Sequence, residues 1–349
     1  MSLSDNGLVL DVSEPSHLDR EAGVEFFPGV IVPGFFNAHC HLELSHLRGA
    51  IAPGGRFAAF IQGMRAARAA STEEDRRAAD AFWDAKMWAE GVSVVADICN
   101  GNSTFDLKTR SRIRYRNFCE LFGLGADPAR AFALRDNALG LSLEAEVTPH
   151  STYSLNRDAF AASTQLSIIS SPLSIHFLES EQEIDLFHRR GPLWDWYVEQ
   201  GLAPDFLDYG GPAERLVAQI PADRPVMLVH NCCVTQRDID IVMGHFKAHV
   251  TWVVCPGSNR YISGLQPPVD LLRRNGLRIA VGTDSLASNT ALSMVEEMRL
   301  LTGVPLVELL GWVAADIIAP GHAPGLVHLT GLDLGTLTLT ERTKAQRII

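Results

Sequence analysis

Apolar and polar positions come in alternating blocks along most of this chain. Short apolar runs end near His39, Asp97, Phe118, Thr148, Phe177, His230, Cys255 and Thr283. The segments between them are long enough for helices and often helical in pattern. The clearest helix is predicted over Thr72 to Glu90. Thr72 can cap it, Glu73, Glu74 and Asp75 fill its first turn, and Gly91 stops it. Its apolar stripe reads Ala78, Ala81, Phe82, Ala85 and Trp88. Eight strands alternating with helices predict an α/β fold, a closed parallel (β/α)8 TIM barrel, with an open doubly wound sheet as the alternative.

The two ends differ from this middle. Gly7 to Val12, Val24 to Phe27 and Val30 to Val32 are short strand-like runs, and Thr336 to Thr340 alternates apolar and polar. We therefore expect residues 1–32 and 320–349 to meet in a small β-sandwich beside a barrel spanning 33–319. The most apolar long stretch, Leu300 to Ile318, contains Glu308 and Asp316. It reads as buried helices rather than a membrane span.

Candidate chemistry gathers at the ends of the predicted strands. In His39-Cys40-His41, residues i and i+2 of a strand share a face, so two imidazoles converge. That is the end of a barrel strand where active sites sit. His176 ends the fifth strand, with Glu179 three positions on, which can give one ligand and one acid/base group. His230 ends the sixth strand. Asp284 follows the eighth in Val281-Gly-Thr-Asp-Ser285, where capping a helix is its plainer role. Three neutral His and one carboxylate suit a borderline divalent ion such as zinc, which lowers the pKa of bound water toward about 7.

Taken together, Pro33-Gly-Phe-Phe-Asn-Ala-His39-Cys-His41, His176-x-x-Glu179, His230 and Gly282-Thr-Asp284 resemble the amidohydrolase superfamily. The match is to its deaminase and chlorohydrolase branch. The resemblance implies one divalent ion, Zn2+ or Fe2+, bound by His39, His41, His176 and Asp284. It implies that Glu179 shuttles a proton from water to a ring nitrogen, and that His230, with Asp284, orients the water. Two-metal members resemble one another in a bridging carboxylated Lys, or a Glu, on a middle strand. No Lys lies at a strand end here, which favours a single ion and leaves Glu146, on the fourth strand, as the open question. Pro149-His150-x-x-Tyr153 and Cys255-Pro-Gly-Ser258-Asn259 resemble family segments that line the cavity, which implies substrate contacts from His150, Ser258 and Asn259. His41-Leu-Glu-Leu-Ser-His46-Leu-Arg-Gly49 resembles the start of aminofutalosine deaminases. The implied activity is hydrolytic deamination of an aminopurine-type nucleoside, with 6-amino-6-deoxyfutalosine of menaquinone biosynthesis as the specific candidate. A chlorohydrolase or cyclic amidase on a related nitrogen heterocycle is the alternative, and a non-catalytic binding barrel a further one.

The remaining features narrow the classes. His41-x-Glu43 lacks the Pro-Cys-x-x-Cys partner of cytidine-deaminase-type sites. Walker A, GxGxxG, GxSxG and HExxH motifs are absent. With 41 acidic and 30 basic residues the net charge is −11, against a nucleic-acid or membrane partner and for a small-molecule substrate of little negative charge. The composition is compatible with a homo-oligomer. None of the six Cys forms a CxxC pair, and no signal peptide is apparent, so a reducing cytoplasm is expected. His17, His46, His188, His245, His249, His322 and His328 read as surface or packing residues. Trp194, Trp196 and Tyr197 read as core or lid aromatics.

Overall fold

A computed structural model describes residues 1–13, 24–54, 57–165, 171–247 and 249–349. His17 lies outside them. Eight parallel strands form the centre: β4 (Phe35–Cys40), β5 (Val92–Cys99), β6 (Arg114–Leu121), β7 (Glu144–Pro149), β8 (Leu173–Phe177), β9 (Val226–His230), β10 (Val250–Val254) and β11 (Arg278–Val281). They pair in sequence order as two four-stranded sheets, β4 to β7 and β8 to β11. Parallel bridges Ser151–His176 and Cys40–Asp284 join the sheets at both seams and close the barrel.

Strand alternation divides the apolar residues between two cores. Ala38, Ala96, Ile98, Phe118, Met227, Val229, Val253, Cys255 and Ala280 pack together inside the barrel. Phe35, Val95, Val147, Ile175, Leu228, Trp252 and Val281 belong to the larger core beneath the helices. A glycine at 282 lets one seam close: a Cβ there would meet His39 N and Cβ at 2.8 and 2.7 Å.

Two helices, Phe57–Ala70 and Glu73–Ala89, follow the first barrel strand, and Thr72 and Asp75 form a reciprocal capping box at the start of the second. The buried face of this second helix is not the predicted alanine stripe. Asp80, Trp83 and Met87 turn inward, and Phe82 is 60% exposed. Trp83 and Met87 carry more apolar area than the alanines, so the helix rotates to bury them, and short alanines tolerate water.

The two ends do meet, in a small antiparallel sheet. β3 (Val30–Pro33) and β13 (Lys344–Arg347) flank β12 (Leu326–Thr330), and β1 (Ser2–Leu3) pairs with β2 (Val9–Asp11). Two expected strands are absent. Val24 to Phe27 is irregular, and Thr336 to Thr340 belongs to a turn bridged only at Asp333–Thr338. Asp333 accepts the backbone N–H of Gly335 and Thr336, a side-chain turn that competes with strand pairing. No helix among the described residues is long and apolar enough to cross a membrane.

Gly91 joins the helix to β5 at φ +96°, and a Cβ there would come within 2.4 Å of Val327 in the small sheet. Gly91→Ala therefore adds backbone strain to a clash, and we expect a loss of about 2–4 kcal/mol in urea denaturation. An unchanged midpoint would show that the sheet does not bear on this turn.

Candidate metal centre and active site

The site forms where the strands end, and the seams position it. His39 O accepts the backbone N–H of both Thr283 (3.0 Å) and Asp284 (2.9 Å). The Asn37 side chain donates to Thr283 Oγ1 (2.8 Å) and accepts from Thr283 N (3.0 Å). At the other seam His150 O accepts His176 N at 2.8 Å. Register irregularity between Asn37 and Cys40 shifts the strand's alternation just before His39 and His41. His230 and Asp284 have φ of +80° and +57°, a left-handed backbone that re-aims both side chains.

These devices bring His39, His41, His176 and Asp284 together. The Nε2 atoms of His39 and His41 are 3.2 Å apart, and Asp284 Oδ1 lies 3.7 and 3.4 Å from them. The ligand atoms of His39, His41 and His176 fall within 4.8 Å of one another. Burial lowers all three imidazoles, with His39 well below its ordinary value and His41 at about 4. The rings are thus neutral, with lone pairs to give. Burial raises Asp284, but the neighbouring His41, His230 and His176 and the Ser258 hydroxyl outweigh it and hold the carboxyl low.

A cation fits this arrangement. The Nδ1 atoms of His39 and His41 are buried without partners, and their Nε2 atoms meet each other beside a carboxylate oxygen. Three imidazoles and one carboxylate make a donor set suited to zinc. His176 Nδ1 donates to His150 O at 3.0 Å, leaving Nε2 as its ligand atom. Asp284 Oδ2 accepts from Ser258 and Ser288 Oγ, leaving Oδ1 toward the histidines.

Glu179 and His230 complete the acid/base groups. Burial pushes Glu179 up to about 7. Its backbone N–H donates to Glu183 Oε2 (3.2 Å), and Leu178 before it has φ +50°. His230 Nε2 stands 3.8 Å from Glu179 Oε1. The Asn259 amide donates to His230 Nδ1 (3.0 Å), which places the ring proton on Nε2, toward the site. Ser258 and Asn259, expected to touch substrate, are buried behind Asp284 and His230 instead. They sit on the helix that begins at Pro256, whose inner face packs on those two residues.

The cavity above these groups is lined by His41, Leu44, Phe60, Met64, Arg68, Asn100, Glu120, Phe122, His150, Tyr153, His176, Glu179, Ile262, Asp284 and Ser285. His150 stacks on His176 with centroids 4.4 Å apart and is fixed by Ser154 Oγ at 3.0 Å. Tyr197 OH donates to Tyr153 O (2.8 Å), so the aromatic cluster of Tyr197, Trp194 and Trp196 backs this wall. Glu146 does not line this cavity. It borders a hollow at the start of the strands with Arg116 and Glu144, and its carboxylate is 3.8 Å from Arg224.

Asn100, which from its place at the end of the second strand could line the cavity, does so, whereas sequence reasoning missed Glu120, Phe122 and Arg68. Glu120 was within reach: it is two residues beyond inward-facing Phe118 on the same strand, so alternation points it inward. Asp97 also acquires a task. It accepts Leu42 N at 2.8 Å and pairs with buried Lys108, holding the chain just after His41. Glu43 accepts Asn100 N and Gly101 N (3.3 and 3.2 Å) and pairs with Arg68, tying the first two loops together.

The Amidohydrolase family matches residues 30–316. The chain belongs to that family, and its His39, His41 and His176 are grouped where a metal ion could be held. An adenosine deaminase of Helicobacter pylori is 27% identical over 298 residues, covering 82% of this chain and 72% of that protein. A 5-methylthioadenosine/S-adenosylhomocysteine deaminase of Halobacterium salinarum is 27% identical over 286 residues, 77% of this chain but only 61% of its own length. The solved structure of Helicobacter pylori aminofutalosine deaminase in complex with methylthio-coformycin has the same fold, with a TM-score of 0.73 at 24% identity. It covers 86% of this chain and 79% of that one.

Elemental analysis of the purified protein should find one zinc or iron ion per chain, and His176→Ala should lose it. Two ions per chain would contradict the single-ion arrangement.

Proposed function

We propose that this enzyme hydrolyses the exocyclic amino group from an adenine-type nucleoside and releases ammonia. One observation carries the reading: a largely enclosed carboxyl, Glu179, shares a cavity with a cation-binding donor set and lies 3.8 Å from a neutral His230. Replacing an amino group on an aromatic ring carbon needs water activated on one side and a proton for the adjacent ring nitrogen on the other. These groups supply both.

His39, His41, His176 and Asp284 would hold the ion, which when bound supplies a nucleophilic water at neutral pH. Glu179 takes a proton from the attacking water and delivers it to the ring nitrogen. The same carboxyl then takes the proton of the newly added hydroxyl and passes it to the amino group, which leaves as ammonia as the ring carbonyl forms. Its raised pKa, near 7, suits a group that must both accept and donate. His230 Nε2–H donates to the incoming oxygen, and Asn259 keeps the ring in that tautomer. Asp284, held by two serine hydroxyls, orients the same water. His150 and Tyr153 offer the ring and its substituent a stacked, apolar wall with polar edges.

Among adenine-type nucleosides the compound we favour is 6-amino-6-deoxyfutalosine, converted to futalosine on the menaquinone route. The support is the His41 to Gly49 segment, together with the fold shared with the Helicobacter pylori enzyme. Six free cysteines suit the reducing cytoplasm in which such an enzyme would act.

An assay for ammonia on 6-amino-6-deoxyfutalosine, adenosine and 5′-methylthioadenosine decides the class. Turnover of at least one is expected. No ammonia from any of them, with chloride from a chlorotriazine instead, would move the enzyme to the alternative reaction. Glu179→Gln should keep its metal and lose about 10²–10⁴-fold in kcat. Turnover equal to the parent would remove Glu179 from the mechanism.

A further inference from the structure

Among the described residues, Glu120 is the one carboxylate on the cavity wall that the proposed reaction leaves without a task. It ends β6, points inward and is only 8% exposed. Its two oxygens differ. Oε2 accepts the Asn100 side-chain amide at 2.8 Å, which fixes the carboxyl plane. Oε1 is buried with no hydrogen-bond partner. His176 Nδ1 lies 3.9 Å from it, and that nitrogen's proton is already given to His150 O. Burial pushes the Glu120 carboxyl up to about 8, and a hydroxyl donated to Oε1 favours its ionised form. A buried carboxyl oxygen without a partner is costly, so the site is incomplete without such a ligand.

The position says which part of a ligand that is. The reacting carbon and its ring nitrogen are held between the His/Asp donor set and Glu179. A substituent on the base can then extend along the adjoining wall, built from the ends of β5, β6 and β7 by Asn100, Glu120, Phe122 and His150. A cation shared by Glu120, His150 and His176 is the competing occupant, since their ligand atoms are close. His176 is already spent, however: its Nδ1 donates to a carbonyl, and its Nε2 belongs to the set with His39 and His41. A hydroxyl needs only the one free oxygen.

We propose that Glu120 Oε1 accepts a ribose hydroxyl, making Glu120 a specificity-determining residue that selects nucleosides over free bases and over deoxynucleosides. The assignment rests on the nucleoside-deaminase reading above. Asn100 positions the carboxyl through its side-chain amide.

The test uses the zinc-loaded, full-length protein and calorimetric binding of inosine, 2′-deoxyinosine and 3′-deoxyinosine, with ammonia release from adenosine and 6-amino-6-deoxyfutalosine measured in parallel. The parent should bind inosine about 10- to 100-fold more tightly than at least one deoxy compound, the range expected when a buried polar atom is left unpaired. Glu120→Ala should bind inosine as weakly as the parent binds that deoxy compound, no longer distinguish the two, and keep its zinc content. If Glu120→Ala does not fold, Glu120→Gln keeps the shape with a weaker acceptor, and should reduce the discrimination at least about threefold. The assignment is overturned if the parent does not discriminate, if either variant discriminates as the parent does, or if Glu120→Ala releases a second zinc ion. Ammonia release without discrimination overturns the role of Glu120 alone. Neither ammonia release nor inosine binding overturns the nucleoside reading and this one with it.

Discussion

Closure of the barrel at its two seams is the constraint on which the site depends. Each seam is made by the backbone of a residue whose side chain does chemistry. His39 O receives the N–H groups of Thr283 and Asp284, and His150 O receives that of His176. The donor set therefore cannot drift apart without opening the sheet. Gly282 is the steric condition for one of these contacts, because any side chain there would meet the backbone of His39. Stability and function share the same hydrogen bonds here, in keeping with sites built on strand ends of a rigid scaffold.

Around that frame, each reactive group is held by a polar neighbour that does not face the cavity. Ser258 and Ser288 hold Asp284, Asn259 holds His230, Glu183 holds Glu179, and Asp97 with Lys108 holds the turn after His41. The consequence is electrostatic as well as geometric. Burial keeps the imidazoles neutral and lifts Glu179 toward neutrality, while the serines and histidines keep Asp284 ionised. One cavity thus holds neutral ligands, a charged ligand and a carboxyl poised between its two forms.

Much of this was legible in the sequence because strand periodicity and strand-end chemistry are local. The eight barrel strands follow from apolar runs, and His39, His41, His176, His230, Glu179 and Asp284 follow from their places at strand ends. What was not legible depends on packing or on backbone conformations that periodicity does not carry. The helix at Glu73–Ala89 buries Trp83 and Met87 rather than its alanine stripe, a choice made by the surface it meets. Thr336 to Thr340 alternates like a strand, yet the Asp333 side chain captures the N–H groups that pairing would use. Ser258 and Asn259 stand one layer behind the cavity, and only their long-range bonds to Asp284 and His230 show it. The left-handed turns at His230 and Asp284 likewise leave no periodic trace.

The most direct test of the central claim, that one ion held at the seam makes this barrel a deaminase, is a metal titration. Chelator-stripped protein would receive zinc in measured fractions of an equivalent while ammonia release from an adenine-type nucleoside is followed. Activity should be absent at the start, rise linearly and break sharply at one zinc per chain. Activity in the stripped protein, or a rise that continues to two equivalents, would contradict the account.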